Sequence, residues 1–162
     1  MIELKPLMLQ KPRLTLAVAE SLTCGHVQAR VGSISGASEF FLGGITAYTL
    51  EEKVTHLGVN RAAARKVDCV SAAVAREMAL GACRLFGSDL ALATTGYAEP
   101  SAAAKVTAPF AWWALAHVRR GRTVGLSSGR VECPGASRIE TQMIVAAAVL
   151  TELVEYLRRL RQ

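Results

Sequence analysis

Ser38, Tyr48 and Lys53 stand ten and then five residues apart in the stretch GASEFFLGGITAYTLEEK, residues 36–53. A serine, a phenol and an amine are the parts of an acyl-transfer centre. The serine attacks an amide or ester once its proton is removed. A lysine takes that proton when it is desolvated or set beside other cations. Its pKa must then fall by about three units from about 10.4, which costs roughly 4 kcal/mol. A buried junction beside an apolar strand supplies such a shift. Tyr48 is suited to donate a hydrogen bond or relay a proton. Arg138, at the start of the last helix, adds positive charge or binds a substrate phosphate. The same spacing also fits an inert arrangement, in which Ser38 caps a turn, Tyr48 ends a strand and Lys53 is solvated. No SxxK, GxSxG or Walker sequence decides between them.

These residues must be positioned by strands and helices that the pattern delimits. LTLAVAE, residues 14–20, reads as a buried strand, and the junction AESLTCG then passes to a helix over Thr23–Arg30, with Ser21 and Thr23 as cap types. GGITAY, residues 43–48, reads as a second strand, followed by a helix from a Thr49 cap to Leu57 and closed by Gly58. Ser71 caps a longer helix with Val74, Met78, Ala82 and Leu85 on one stripe, and Gly87 ends it. DLALATT, residues 89–95, is a third strand, and residues 96–109 are a loop. FAWWALAHV and RTVGLSSGRVE form a hairpin. Ser137 caps the last helix, whose seam of Ile139, Met143, Ala146, Leu150, Leu153, Leu157 and Leu160 packs on the sheet. This order predicts a three-layer α/β/α sandwich with a mixed β-sheet. In such sheets ligands bind where strands pass to helices. Three junctions carry hydroxyls: Ser21/Thr23, Tyr48/Thr49 and Thr95/Gly96.

The 162 residues suit one domain, read here as residues 13–162 after a lead-in over 1–12. No apolar run reaches the roughly 20 residues that span a bilayer, and the N-terminus lacks the apolar stretch of a secretory signal. The expected location is cytoplasmic, with no membrane partner. Cys24, Cys69, Cys83 and Cys133 form no CxxC pair, and His26, His56 and His117 are scattered, so no metal is expected. The net charge of +6 falls largely on Arg119, Arg120 and Arg122 and on Arg158, Arg159 and Arg161. Neither group is interleaved with aromatics, and no nucleic-acid motif is present, so both read as solvated faces and nucleic acid is not an expected partner. The positive field favours an anionic small molecule.

Four blocks in order carry a resemblance: AESLTCG at 19–25, GASEFFLGGITAYTLEEKVTHLGV at 36–59, VSAAVAREMALGA at 70–82 and ATTGYAEP at 93–100. Together they resemble the CinA C-terminal domain family, the nicotinamide-nucleotide amidohydrolases also known as competence/damage-inducible proteins. The resemblance runs from about residue 12 to residue 160. It implies an α/β/α domain, assembled as a homodimer or higher homo-oligomer. It implies deamidation of nicotinamide mononucleotide to nicotinate mononucleotide and ammonia, with no cofactor and with a small-molecule nucleotide as substrate. It places the nucleophile at Ser38, with Tyr48 and Lys53 as its catalytic partners. It assigns Ser21, Thr23, Thr95, Gly96 and Arg138 to substrate binding. The chain departs from the family pattern at Leu22 and Cys24 in the first block. It departs again at Tyr97, Glu99, Ser101 and Ala102 in the last block, and at Gln142, which replaces a second arginine. A carboxylate at position 99 opposes a phosphate by like charge. The alternative function is therefore a divergent, weakly active or inactive paralogue that binds a nucleotide or serves as a scaffold. A further alternative makes Cys24 a nucleophile at a helix N-terminus, without an evident base.

Overall fold

A computed structural model describes residues 3–162 of the chain. In chain order the elements are α1 (Leu4–Leu9), β1 (Leu16–Glu20), α2 (His26–Gly32), a single 3-10 turn (Ala37–Glu39), β2 (Phe41–Thr46) and α3 (Leu50–Leu57). Then come α4 (Arg61–Lys66), α5 (Ala72–Phe86), β3 (Leu90–Tyr97), β4 (Phe110–Arg119), β5 (Arg122–Glu132) and α6 (Arg138–Leu160). The sheet order is β2-β1-β3-β4-β5. β1 is parallel to β2 and β3, while β4 runs antiparallel to β3 and β5. The mixed sheet and the helices on both faces are those the pattern predicts. Among the described residues no helix is long and apolar enough to cross a membrane.

Residue size alternates along the strands and sets the two layers. Side chains of a strand point to opposite faces with a period of two. On one face Leu16, Val18, Leu90, Leu92, Trp113 and Leu115 meet α1, α2 and α6. On the other, Ala17, Ala19, Ala91, Ala93, Ala114 and Ala116 meet α3, α4 and α5. The alanine face lets α5 lie close to the sheet. Gly81 extends this economy of volume to the contact between α5 and α3. A Cβ at Gly81 would stand 2.2 Å from the Leu57 carbonyl oxygen and 2.7 Å from Leu57 Cα. Gly81→Ala gains about 1 kcal/mol of helix propensity, but the clash is with backbone and costs more. The expected net loss is about 2 kcal/mol, and Tm falls by about 4–8 °C in a thermal melt. An unchanged Tm would mean that α3 and α5 are free to separate.

Several expectations are corrected. Residues 4–9 are not a lead-in: they form α1, whose Leu4 and Met8 are fully buried in the larger core. Arg158 and Arg161 are not simply solvated. Arg158 pairs with Glu3 and Glu155, and Arg161 donates to the Leu7 and Pro12 carbonyls, so the end of α6 holds the N-terminal segment. The α6 seam fails at both ends, where Ile139, Met143 and Leu160 are exposed. Thr141, Val145 and Val149 take the buried positions beside Ala146, Leu150, Leu153 and Leu157. Leu85 likewise leaves the α5 stripe for solvent, and Ala75, Ala79 and Gly81 are buried instead. The small residues on α5 approach the sheet more closely than a leucine allows. The hairpin turns on Arg120-Gly121, both with positive φ, as a two-residue loop between twisted strands requires.

Candidate active site

Parallel pairing of β1 with β2 places two chain turns side by side at one sheet edge. Glu20 lies opposite Thr46 in the register, so Ser21 and Ala47-Tyr48 leave the sheet together. Thr49 then starts α3, its hydroxyl accepting from the Glu52 N–H at 3.3 Å. Lys53 sits one turn into that helix and points back over the junction. Its amine donates to Ser21 Oγ at 2.9 Å, to the Ala47 carbonyl at 2.9 Å and to the Tyr48 carbonyl at 3.0 Å. Lys53 is only 1% exposed. Burial pushes its pKa below the usual 10.5, against smaller opposing effects of Cys69 and Asp68. The three partners suit both charge states. An ammonium donates to all three; a neutral amine donates to the two carbonyls and keeps a lone pair for the serine proton.

Ser21 is held from behind by a residue whose part no motif announced. Glu20 is completely buried, and its carboxylate accepts from the N–H groups of Gly25, Val27 and Gln28 at 3.0, 3.1 and 2.9 Å. It satisfies the first turn of α2, where Ser21 or Thr23 was the expected cap. The only sequence signal was an acid ending an otherwise apolar strand. Thr23 does not line the pocket over Lys53: it is buried and its hydroxyl pairs with Thr94 Oγ1 at 2.7 Å. Cys24 is exposed with φ of 46°, a left-handed geometry that suits glycine better. It does not line the pocket.

The pocket over Lys53 has a volume of about 480 Å³, within the usual range for small-molecule sites. Ser21, Tyr48, Lys53, Thr95, Gly96 and Arg138 all line it. Thr95 and Gly96 end β3 rather than form a turn. The Thr95 hydroxyl is committed to the Cys69 carbonyl at 2.7 Å. Gly96 is needed for strand packing, since a Cβ there would meet the Phe110 carbonyl oxygen at 2.3 Å. Asp68 and Cys69 complete one wall, both with positive φ. Tyr97 donates to Asp68 at 2.8 Å. Burial, and then the Asp68 hydrogen bond and charge, push the Tyr97 phenol up to about 12. The part of Asp68-Cys69 had no sequence signal beyond a polar pair between two helices. At the rim, Arg138 donates to Glu99 at 2.7 Å and to the Tyr48 hydroxyl at 2.6 Å. Among the described residues no cluster of three or more His, Cys, Asp or Glu could hold a metal ion.

Ser38 is not part of this constellation. It lies exposed in the 3-10 turn before β2, whereas Tyr48 and Lys53 follow the end of that strand. The six residues of β2 extend about 20 Å at about 3.3 Å each, so Ser38 sits at the opposite end of that strand. The serine that meets Lys53 is Ser21. The predicted grouping of Ser38, Tyr48 and Lys53 is thereby corrected, with Tyr48 and Lys53 together and Ser21 in the serine's place. Tyr48 itself lies beyond the strand, with its phenol at the pocket rim.

Residues 3–157 match the family model described as CinA C-terminal domain. A CinA-like protein of Chlorobium phaeovibrioides is 37% identical over 156 residues, 94% of this chain and 36% of that protein. A CinA-like protein of Picosynechococcus sp. is 50% identical over 86 residues, 53% of this chain and 20% of that protein. The chain thus spans little more than a third, at most, of these relatives' length. Among solved structures, the competence damage-inducible protein A (ComA) of Klebsiella pneumoniae is 26% identical with a TM-score of 0.79, covering 90% of this chain and 87% of that one. The competence/damage inducible protein CihA of Agrobacterium tumefaciens is 25% identical with a TM-score of 0.80, covering 97% and 90%.

Proposed function

Because the chain belongs to the CinA C-terminal domain family, we propose that it is an amidohydrolase acting on nicotinamide mononucleotide or a related amide, with Ser21 as nucleophile and Lys53 as general base. The single observation that carries this reading is the buried Lys53 amine on the Ser21 hydroxyl at 2.9 Å. In the first step Ser21 Oγ bonds to the carboxamide carbon while its proton passes to Lys53 Nζ. The resulting ammonium then protonates the departing nitrogen, which leaves as ammonia. Water attacks the Ser21 ester, gives its proton to Lys53, and the acid is released with the hydroxyl restored. The N–H groups of Leu22 and Thr23 are the proposed donors to the oxyanion, since those of Ser21, Cys24 and Gly25 are spent on Thr94, Ser21 and Glu20; losing one such donor typically costs about 3 kcal/mol of transition-state stabilisation. Tyr48 shapes the rim through Arg138 and is suited to donate its hydroxyl proton to a substrate oxygen.

The test is ammonia release from nicotinamide-bearing amides by purified protein. Its pH dependence follows from the sign of the Lys53 shift. Only the neutral amine has a lone pair, so kcat/KM rises with pH and levels off at the Lys53 pKa. Burial places that plateau below 10.5. A kcat/KM that falls as pH rises through the alkaline limb, at constant ionic strength and with the protein folded, would rule out Lys53 as the base. A nucleotide-binding paralogue with an idle site is the competing reading. It predicts ligand binding with no ammonia release at any pH.

A further inference from the structure

Four charged side chains line the pocket: Lys53, Asp68, Glu99 and Arg138. The two cations are both engaged. The Lys53 amine is consumed by Ser21 and two carbonyls, and it carries no charge in the state that acts as a base. Both ends of the Arg138 guanidinium are occupied, one by Glu99 at 2.7 Å and the other by Tyr48 at 2.6 Å. Arg138 also opens α6, whose free N–H groups are the other feature of this rim able to hold an anion. The cap of that helix carries its own carboxylate. Glu140 accepts from the Ser137 N–H at 2.8 Å in a closed capping box. The Glu99 carboxylate thus sits on the one guanidinium that lines the pocket. With Lys53 neutral, Asp68 and Glu99 outweigh Arg138 and the pocket carries a net negative charge.

We infer that Glu99 sets the substrate class of this pocket, selecting a carboxamide without a phosphate, such as a nicotinamide nucleoside, over the corresponding mononucleotide. The inference rests on the amidohydrolase reading for the identity of the reaction, but not for the electrostatics. A phosphate monoester brings a charge of about −1.5 to −2 to a rim already holding a carboxylate. To reach Arg138 it must displace Glu99 and remain beside it. The pyridinium of a nicotinamide nucleoside has the opposite sign and meets Asp68 and Glu99 favourably.

The variant for the test is Glu99→Gln. It keeps the side-chain length and removes the charge. The ion pair is more than half exposed on the Glu99 side, so its loss should leave the fold intact. The first measurement is a titration of wild type and Glu99→Gln with inorganic phosphate, followed by NMR at Arg138 and Tyr48. The variant is expected to bind at least about tenfold more tightly. The second is kcat/KM for ammonia release from nicotinamide riboside and from the mononucleotide. Wild type should favour the riboside by at least about tenfold, and Glu99→Gln should bring that ratio towards unity. Equal phosphate affinity in the two proteins, or a wild type that favours the mononucleotide, overturns the inference. If neither amide is hydrolysed, the amidohydrolase reading fails on its own, and the phosphate titration still decides whether Glu99 excludes the anion.

Discussion

Ser21→Ala lowers kcat/KM for amide hydrolysis by at least about 10³-fold, whereas Ser38→Ala leaves it within about twofold. The contrast follows from geometry. Ser21 Oγ is the hydroxyl in contact with the Lys53 amine, and Ser38 is exposed at the far end of β2. Lys53→Met removes the base while filling much of the same volume, and it should cost a similar factor. The two losses should not add, because a nucleophile and its base act as one unit: the double variant should lie within about tenfold of either single variant. Ammonia release at substrate concentrations well below KM compares the four variants with wild type, and circular dichroism checks that each is folded. Activity retained by Ser21→Ala but lost in Ser38→Ala would overturn the assignment. Equal activity in all variants would remove the catalytic reading of the pocket altogether.

Glu20→Ala lowers stability by about 3–5 kcal/mol. One fully buried carboxylate serves three backbone N–H groups at the start of α2. Each donor left without a partner in such a place costs about 1–3 kcal/mol, less where water reaches it. Gly25 and Gln28 are partly accessible, which keeps the sum below the upper limit. Domains of this kind are stable by only about 5–15 kcal/mol, so the loss is a large share of the total. Glu20→Gln keeps one carbonyl oxygen but turns an NH2 towards backbone donors, so it rescues only part. The midpoint of urea unfolding reads both variants, and a loss under about 1 kcal/mol for Glu20→Ala would show that water replaces the carboxylate. Activity should fall further than stability explains, because the same turn carries Ser21.

Much of the secondary structure was legible because its signals are local. Thr49, Ser71 and Ser137 cap the helices they were expected to cap, and Gly58 and Gly87 end theirs with positive φ. The hairpin of β4 and β5 follows from two strand-like runs on either side of a short turn. The α2 cap was missed because the residue that supplies it lies outside the usual short offset. Glu20 reaches forward five to eight residues, and an acid inside an apolar run carries no distinctive pattern. The α6 seam was misplaced at its ends because periodicity gives the face of a helix but not how far the sheet beneath it extends.

The sequence by itself determined the order of elements, the mixed α/β/α sheet, the family resemblance and the presence of Tyr48 and Lys53 at a strand-to-helix junction. All of these depend on residues near one another in the chain. Only the tertiary structure decided which hydroxyl meets the amine. Ser38 is closer to Lys53 in sequence than Ser21 is, yet β2 runs between them and carries them to opposite ends of the strand. Parallel pairing of β1 with β2 then brings Ser21 across thirty-two positions of chain to 2.9 Å from Lys53. The same holds at the rim, where Arg138, Glu99 and Tyr48 come from three separate segments. Spacing along a chain measures contour length, and a strand turns contour into distance.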